Sequence, residues 1–196
     1  MNALAAAPLF DALAAFHRDH PHSELEPVEE NYDQPVARVR SGSLDVALVG
    51  LAGDPPERLT TQVITNDRLI ALTPPGSELA HRGRTALADL FEYSVLSLPV
   101  GTGIRNVLDQ ACAALNIDPA VALVATSPDT VAGLARRGPW VAVLGASMAD
   151  AYPDLAAVPI DGAEIPALLA LVWPERTSPA LTVFLRHCRE AFRGTR

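Results

Sequence analysis

Basic side chains and long apolar runs are scarce in this chain of 196 residues. The 15 Lys and Arg residues against 23 Asp and Glu residues give a net charge of -8, which argues against nucleic acid as a direct partner. No run approaches the roughly 18 apolar residues of a membrane helix, since even 163–173 contains Glu164 and Pro166. The N-terminus lacks the positive segment of a signal peptide. The sequence therefore predicts a cytoplasmic protein with no membrane partner.

Cysteine is also rare, and its placement excludes some chemistry. Cys112 and Cys188 each lie in an apolar pattern with helical spacing. We therefore predict two buried thiols, with neither a disulfide nor a metal role. Such usage fits a reducing compartment. The chain also lacks a Gly-Lys-Ser/Thr phosphate loop and a full dinucleotide fingerprint, so no cofactor is expected.

Segments typical of strands alternate with segments typical of helices along most of the chain. Helix ends are well marked: Ser127 and Pro128 begin one helix, and Gly138 ends it. Strands are predicted over 24–28, 44–49, 59–64, 68–73, 94–98, 121–125, 140–144, 155–160 and 167–173, and helices over 8–19, 32–39, 104–115, 127–137 and 178–192. This alternation predicts α/β lobes with mainly parallel sheets.

The segment from Leu98 to Arg105 combines a strand end, a turn with two glycines and a helix start. Such a turn directs free backbone N–H groups and the positive end of the helix dipole to one point, and Thr102 adds a hydroxyl. The turn is therefore a candidate anion site. An ordinary glycine turn with Thr102 as a helix cap accounts for the same residues.

The segment from Gly145 to Ala149 follows a predicted strand and resembles the nucleophile turn of a serine hydrolase. Ser147 would be the nucleophile, and Asp161 and His187 follow in the order that such enzymes use. However, Ala149 replaces the second glycine of the pattern, and Ser147 is equally suited to cap a short helix.

Three histidines, His17, His20 and His22, are close together in the sequence. They lie at the end of a predicted helix and on both sides of Pro21, which bends the chain. We therefore expect exposed imidazoles there, and no metal site.

Several segments together resemble the effector-binding domain of LysR-type transcriptional regulators, and the resemblance extends over nearly the whole chain. For example, Gly42-Ser43-Leu44-Asp45 is similar to the G-x-L-D sequence with which that family enters a strand. The matching segments are Arg40 to Val49, Asp67 to Pro74, Leu87 to Leu90, Pro99 to Arg105, Val131 to Leu144 and Ser178 to Phe184. Each is weak alone, but their order and spacing are specific.

The chain departs from the family pattern in four places. Gly138-Pro139-Trp140 stands where Gly-Leu-Gly is usual, and Gly145 stands where a proline is common. The family's first strand is missing or reduced to residues 1–7, and the winged helix-turn-helix that normally precedes it is absent.

The resemblance implies a fold of two Rossmann-like α/β lobes, of the type 2 periplasmic-binding-protein class, joined by two crossovers. Lobe I would comprise 1–73 and 166–196, and lobe II 74–165. The ligand would lie between the lobes, where strand-to-helix turns meet. The residues implied in effector binding are Ala6, Asn31, Tyr32, Leu51, Val100, Gly101, Thr102, Gly103, Ser127 and Asp129.

The resemblance also implies a small-molecule effector, with organic anions as one candidate class, and no enzymatic activity. It implies a homodimer or higher homo-oligomer, for which the helices over 8–19 and 104–115 are candidate contacts. DNA would be bound only through a domain absent from this chain. A free-standing solute-binding protein and a small hydrolase that uses Ser147 and His187 are the rival readings.

Overall fold

Two β-sheets with helices packed on them form the computed structural model of the protein. The structure describes residues 3–28 and 34–193, with side chains from residue 7 onward. The helices are α1 (Ala3–Asp19), α2 (Gln34–Ser41), α3 (Glu78–Arg82), α4 (Leu87–Leu90), α5 (Gly103–Ala114), α6 (Pro128–Ala135) and α7 (Pro179–Arg193), with a 3-10 helix over Ala146–Ala151. The strands are β1 (Ala47–Ala52), β2 (Leu59–Asp67), β3 (Leu69–Thr73), β4 (Thr85–Ala86), β5 (Ser94–Ser97), β6 (Val121–Val124), β7 (Trp140–Gly145), β8 (Ala156–Asp161) and β9 (Ala167–Pro174).

The smaller sheet has the order β1-β9-β2, and we call it, with α1, α2 and α7, lobe I. Its central strand β9 is apolar along its length because helices cover both of its faces. Leu171 and Trp173 pack with α1 and α7, whereas Val172 packs with Val39 of α2. Across the α1 and α7 interface, the rings of Phe16 and Phe184 meet edge to face with centroids 5.5 Å apart.

The larger sheet has the order β4-β8-β3-β7-β5-β6, and with α3 to α6 it forms lobe II. Strands β5, β6 and β7 run parallel, whereas β3 is antiparallel to both β7 and β8. The prediction of mainly parallel sheets is wrong for lobe I, where β9 is antiparallel to both neighbours. The chain crosses between the lobes twice. Strand β2 leads out of lobe I, and β9, which is antiparallel to β2, leads back into it.

The first boundary between the lobes differs from the expected one. Residues 69–73 were assigned to lobe I from the sequence, but β3 pairs with β7 and β8 in the larger sheet. The chain therefore first crosses from lobe I to lobe II at Arg68, directly between β2 and β3. The proline-rich turn at residues 74–76 lies inside lobe II. Sequence periodicity finds strands, but it does not tell which sheet they join.

Helix α1 begins at Ala3, before Pro8. Of the two alternatives for the family's first strand, missing or reduced to residues 1–7, the second is therefore wrong for residues 3–7, which are helical. The prediction of a strand over residues 24–28 is also wrong, since these residues are exposed and form no strand. A strand needs a partner to share its hydrogen bonds, and β1 pairs with β9 alone among the described residues. Within those residues, no helix combines the length and apolarity that a membrane crossing requires.

Candidate functional site

The glycine turn before α5 is held in shape by its own hydrogen bonds. Gly101 has a φ of 89°, a conformation that favours glycine. Its N–H group donates to Oδ1 of Asn106 at 3.2 Å. The Thr102 hydroxyl donates to the carbonyl of Pro99 at 2.8 Å and accepts the N–H group of Arg105 at 3.4 Å. Thr102 is therefore the N-cap of α5, as the second reading of this turn predicted.

The same turn lies at the junction of the two lobes. Gly103, the first residue of α5, packs directly on Gly50 of β1. A Cβ added to Gly103 would lie 2.6 Å from the carbonyl carbon of Gly50 and 2.7 Å from its Cα. Gly103 thus has no room for a side chain while the lobes are in this position, and a Cβ on Gly50 would make a tight contact of 3.1 Å with the Cα of Gly103. The structure thus brings together the turn at 100–103 and the end of β1, where Leu51 follows Gly50.

Two other predicted effector residues, Ser127 and Asp129, make hydrogen bonds within lobe II. Ser127 caps α6, because its hydroxyl oxygen accepts the N–H group of Thr130 at 3.2 Å. Asp129 accepts a hydrogen bond from the phenol of Tyr152 at 2.8 Å. The side chain of Ala6, and Asn31 and Tyr32 altogether, lie outside the described residues.

Tyr152 links α6 to the segment before β8, and sequence reasoning did not find it. Its side chain is 3% exposed, and the guanidinium of Arg136 lies over the ring at 5.5 Å from the centroid. Burial, followed by the hydrogen bond to Asp129, raises the pKa of the phenol well above its usual range. The carboxylate of Asp129 thus already has a partner within the protein.

Asp67 is a second residue that the sequence did not mark. It ends β2 at the crossover, and its carboxylate accepts the Ser147 hydroxyl at 2.6 Å and the Ser147 N–H group at 3.0 Å. A Cβ on Gly145 would collide with the carboxylate of Asp67 and lie 3.2 Å from Cδ1 of Ile104. Gly145 therefore fits this position without displacing the carboxylate, and the same distances place Asp67 near the first turn of α5.

The hydrolase arrangement is not assembled. Ser147 has Asp67 as its hydroxyl partner, and the Asp161 carboxylate pairs with Arg84 at 2.7 Å and 2.8 Å. His187 is buried in lobe I, with its Nε2 atom 3.6 Å from the carboxylate of Asp19. The three residues of the hydrolase reading are therefore dispersed over different elements with different partners.

His20, which directly follows α1, has aromatic neighbours. His20 lies against Phe16, with ring centroids 5.1 Å apart, and is 6.4 Å from the ring of His187. Across residues 3–28 and 34–193, no three His, Cys, Asp or Glu side chains are grouped in a way that could hold a metal ion. His17 and His22 are exposed, as predicted, whereas His20 is half-buried.

A groove of about 900 Å³ lies at the other end of α5, away from the glycine turn. It runs between the loop after β1, the C-terminal half of α5 and the second crossover. Its walls include Asp54, Gln110, Leu115, Glu164, Ile165 and Pro166. None of the predicted effector residues that the structure describes is among those that line it.

A family model for the LysR substrate binding domain matches residues 1–193. The chain belongs to this family. Among curated proteins it is 29% identical over 188 residues to the uncharacterized HTH-type transcriptional regulator YnfL of Escherichia coli (strain K12), a match that covers 93% of this chain and 63% of that protein. It is 24% identical over 176 residues to the transcriptional dual regulator GltC of Bacillus subtilis (strain 168), covering 89% and 59%. The chain thus spans about three-fifths of the length of these regulators.

Solved structures of other LysR domains have the same fold. The effector-binding domain of QuiR in complex with shikimate matches with a TM-score of 0.73 and 15% identity, covering 95% of this chain and 90% of that one. The regulatory domain of CcmR from Synechocystis PCC6803 in complex with 2-PG matches with a TM-score of 0.75 and 18% identity, covering 96% and 93%. The predicted fold, two α/β lobes of the periplasmic-binding-protein type, is confirmed.

Proposed function

We propose that this LysR domain senses a small molecule bound between its two lobes, beside the turn at residues 100–103. The contact between Gly50 and Gly103 supports this proposal most strongly, because it puts the start of α5 at the point where the lobes meet. A ligand held there touches both lobes. Its binding energy then depends on the angle between them, which is what a conformational sensor requires.

We propose a small organic anion as the effector class. The 12-residue helix α5 directs its first N–H groups and the positive end of its dipole toward the lobe junction. Because the Thr102 hydroxyl donates its hydrogen to Pro99, the backbone N–H groups of Gly103 and Ile104 are the more suitable donors. Shikimate and 2-PG, with which the QuiR and CcmR domains were solved, are both small organic anions.

In the complete regulator, we propose that effector binding changes how attached DNA-binding domains are held. The relatives YnfL and GltC are transcriptional regulators that are longer than this chain. This chain by itself is not expected to bind duplex DNA, since its net charge of -8 opposes the phosphate backbone. An electrophoretic mobility assay that gave tight, sequence-dependent retardation by the purified chain would contradict this part of the proposal.

We also propose that the chain forms a homodimer and has no catalytic activity. Most of the two apolar stripes expected at the dimer contact is internal: Phe16 packs on α7, and Ile104, Val107 and Leu108 are in the core of lobe II, whereas Leu115 is exposed. Phe10 of α1 remains at the surface with 58% exposure, so the outer face of α1 is the better candidate. Light scattering at high protein concentration tests the dimer, and a monomer there would exclude it.

The effector proposal is tested by a thermal-shift screen of small organic acids, followed by calorimetry with any compound that raises the melting temperature. Gly103→Ala should weaken binding at least tenfold, because a Cβ at 103 holds the lobes apart. Gly76→Ala is the matched control, since a Cβ there meets no atom within 4 Å. Equal affinity of the parent and Gly103→Ala for a confirmed ligand would place the effector elsewhere.

A further inference from the structure

The first crossover between the lobes is a single residue long. Asp67 is the last residue of β2 and pairs with Ala167 in the sheet of lobe I. Leu69 is the first residue of β3 and pairs with Gly145 in the sheet of lobe II. Arg68 alone stands between them, so any rotation of one lobe against the other changes the backbone torsions at or beside Arg68.

The side chain of Asp67 reaches across this connection. Its Oδ1 atom accepts the N–H group of Arg68 at 2.8 Å. Both carboxylate oxygens accept the N–H group of Ser147, at 3.0 Å and 3.2 Å, and Oδ2 accepts the Ser147 hydroxyl at 2.6 Å. Asp67 therefore has its backbone in the ladder of lobe I and its carboxylate bonded to the 3-10 helix of lobe II.

Gly145 lies directly beside this contact. A Cβ at 145 would collide with Oδ2 of Asp67, so any other residue there requires the carboxylate or its surroundings to shift. The adjacent backbone is held as well, because the N–H group of Ala146 donates to the carbonyl of Arg68 at 2.9 Å. Residues 145–147 of lobe II thus all contact residues 67–69 at the first crossover.

We propose that the bonds between Asp67 and Ser147, here named the Asp67–Ser147 clamp, set the resting angle between the lobes. Hydrogen bonds to a carboxylate are stronger than those between neutral groups, and here they oppose rotation at a one-residue hinge. At the second crossover, the N–H group of Gly53 donates to the carbonyl of Pro166 at 3.1 Å. That bond joins backbone atoms only, so substitution of Asp67 or Ser147 alters the clamp and leaves the bond at the second crossover in place. In this proposal Asp67 and Ser147 are positioning residues, because they act through the angle between the lobes.

This inference rests on the two-lobe arrangement of the proposed function but not on any ligand. It is tested on the full chain by measuring the distance between spin labels at Ala88→Cys in α4 and Glu190→Cys in α7. Both positions are exposed, one in each lobe, whereas Cys112 and Cys188 are buried and remain in place. Double electron–electron resonance gives the distribution of interlobe distances without effector. Failure of the effector site would leave this measurement unaffected.

We expect Asp67→Ala to broaden the distance distribution and shift it, relative to the parent. Ser147→Ala should give a smaller change because the backbone N–H group remains, and Asp67→Asn should fall between Asp67→Ala and the parent. The matched control is Asp150→Asn, which removes an exposed acid from the same 3-10 helix.

Two results would overturn the clamp. One is that Asp67→Ala and Ser147→Ala both have the same distribution of interlobe distances as the parent, while circular dichroism shows that both variants are folded. The other is an equal broadening in Asp150→Asn, which would make loss of charge the cause. If Asp67→Ala does not fold, Ser147→Ala decides alone, because its exposed side chain can be shortened without affecting the core.

Discussion

Gly103 at the start of α5 lies so close to Gly50 of β1 that a Cβ on Gly103 would be 2.6 Å from the carbonyl carbon of Gly50. The atoms that this Cβ would meet belong to the backbone of Gly50, so they cannot move aside as the end of a flexible side chain could. Gly103→Ala should therefore lower the free energy of unfolding by about 1–3 kcal/mol, the usual cost of overpacking, or open the lobes. Urea denaturation measures the loss, and Gly76→Ala, with no atom within 4 Å of its Cβ, should unfold like the parent.

Thr102 caps α5, so its role in stability can be separated from any role in binding. Thr102→Val keeps the volume but removes the acceptor for Arg105 N–H, which should cost about 1 kcal/mol of stability. Thr102→Ser retains the hydroxyl and should restore most of it. Chemical denaturation of the three proteins checks this. A Val variant as stable as the parent would mean that the cap contributes nothing.

Removal of the Tyr152 hydroxyl should destabilise lobe II. Tyr152→Phe loses the hydrogen bond to Asp129 and should cost about 1.5–3 kcal/mol, as for other bonds to charged acceptors. Tyr93→Phe is the control, because Tyr93 is only half-buried and its hydroxyl has no hydrogen bond among the described residues. Similar losses in the two variants would show that the Asp129 contact is not the cause.

The raised pKa of Tyr152 also predicts an alkaline dependence. The phenol ionises more easily in the unfolded chain, near its ordinary pKa of 10.0, than in the folded protein. The stability that Tyr152 contributes is therefore present below about pH 10 and lost as the pH rises above it. Stability measured at increasing pH should fall less steeply in Tyr152→Phe than in the parent. Identical slopes would contradict the assignment.

The ion pair of Asp161 with Arg84 should make the free energy of unfolding depend on pH in the acidic range. The Arg84 guanidinium lowers the pKa of the Asp161 carboxyl from 3.8, so its contribution is present above about pH 4 and lost as the pH falls through the lowered pKa. The stability difference between the parent and Asp161→Asn should therefore shrink as the pH falls below this range. Both side chains are exposed, so the effect should be small and weaken with salt. Asp150→Asn serves as the control, because Asp150 is exposed and forms no ion pair among the described residues.

Both cysteines should be inert in the folded protein. Cys112 and Cys188 are fully buried, and burial raises the pKa of their thiols to about 11 and about 12. Because the thiolate is the reactive form, a thiol reagent at about pH 8 should label neither until denaturant is added. The Ala88→Cys variant provides an exposed thiol for comparison. Rapid labelling of the native parent would contradict the burial of one or both.

The glycine turn shows what sequence patterns could reach in the candidate site. Gly101, Thr102 and Gly103 between an apolar strand and an amphipathic helix predicted a capped helix start, and that is what the structure has. Asp67 could not be found in this way. Its importance depends on Ser147, 80 residues away in the chain, and no local pattern records that separation.

The same distinction applies to the fold. Local patterns determined most strands and helices of lobe II and the last helix, because caps, apolar spacing and burial of one face act within a few residues. The combination of six short segments also predicted the family, which the match over residues 1–193 bears out.

Only the tertiary structure decided which sheet each strand joined and which residues met between the lobes. Strand β3 entered lobe II because its edges pair with β7 and β8, and residues 24–28 did not become a strand because no described neighbour pairs with them. Likewise, the contacts of Gly103 with Gly50 and of Asp67 with Ser147 join separate elements. Pairing of strands and close packing of backbones are properties of two segments at once, so neither segment's sequence specifies them alone.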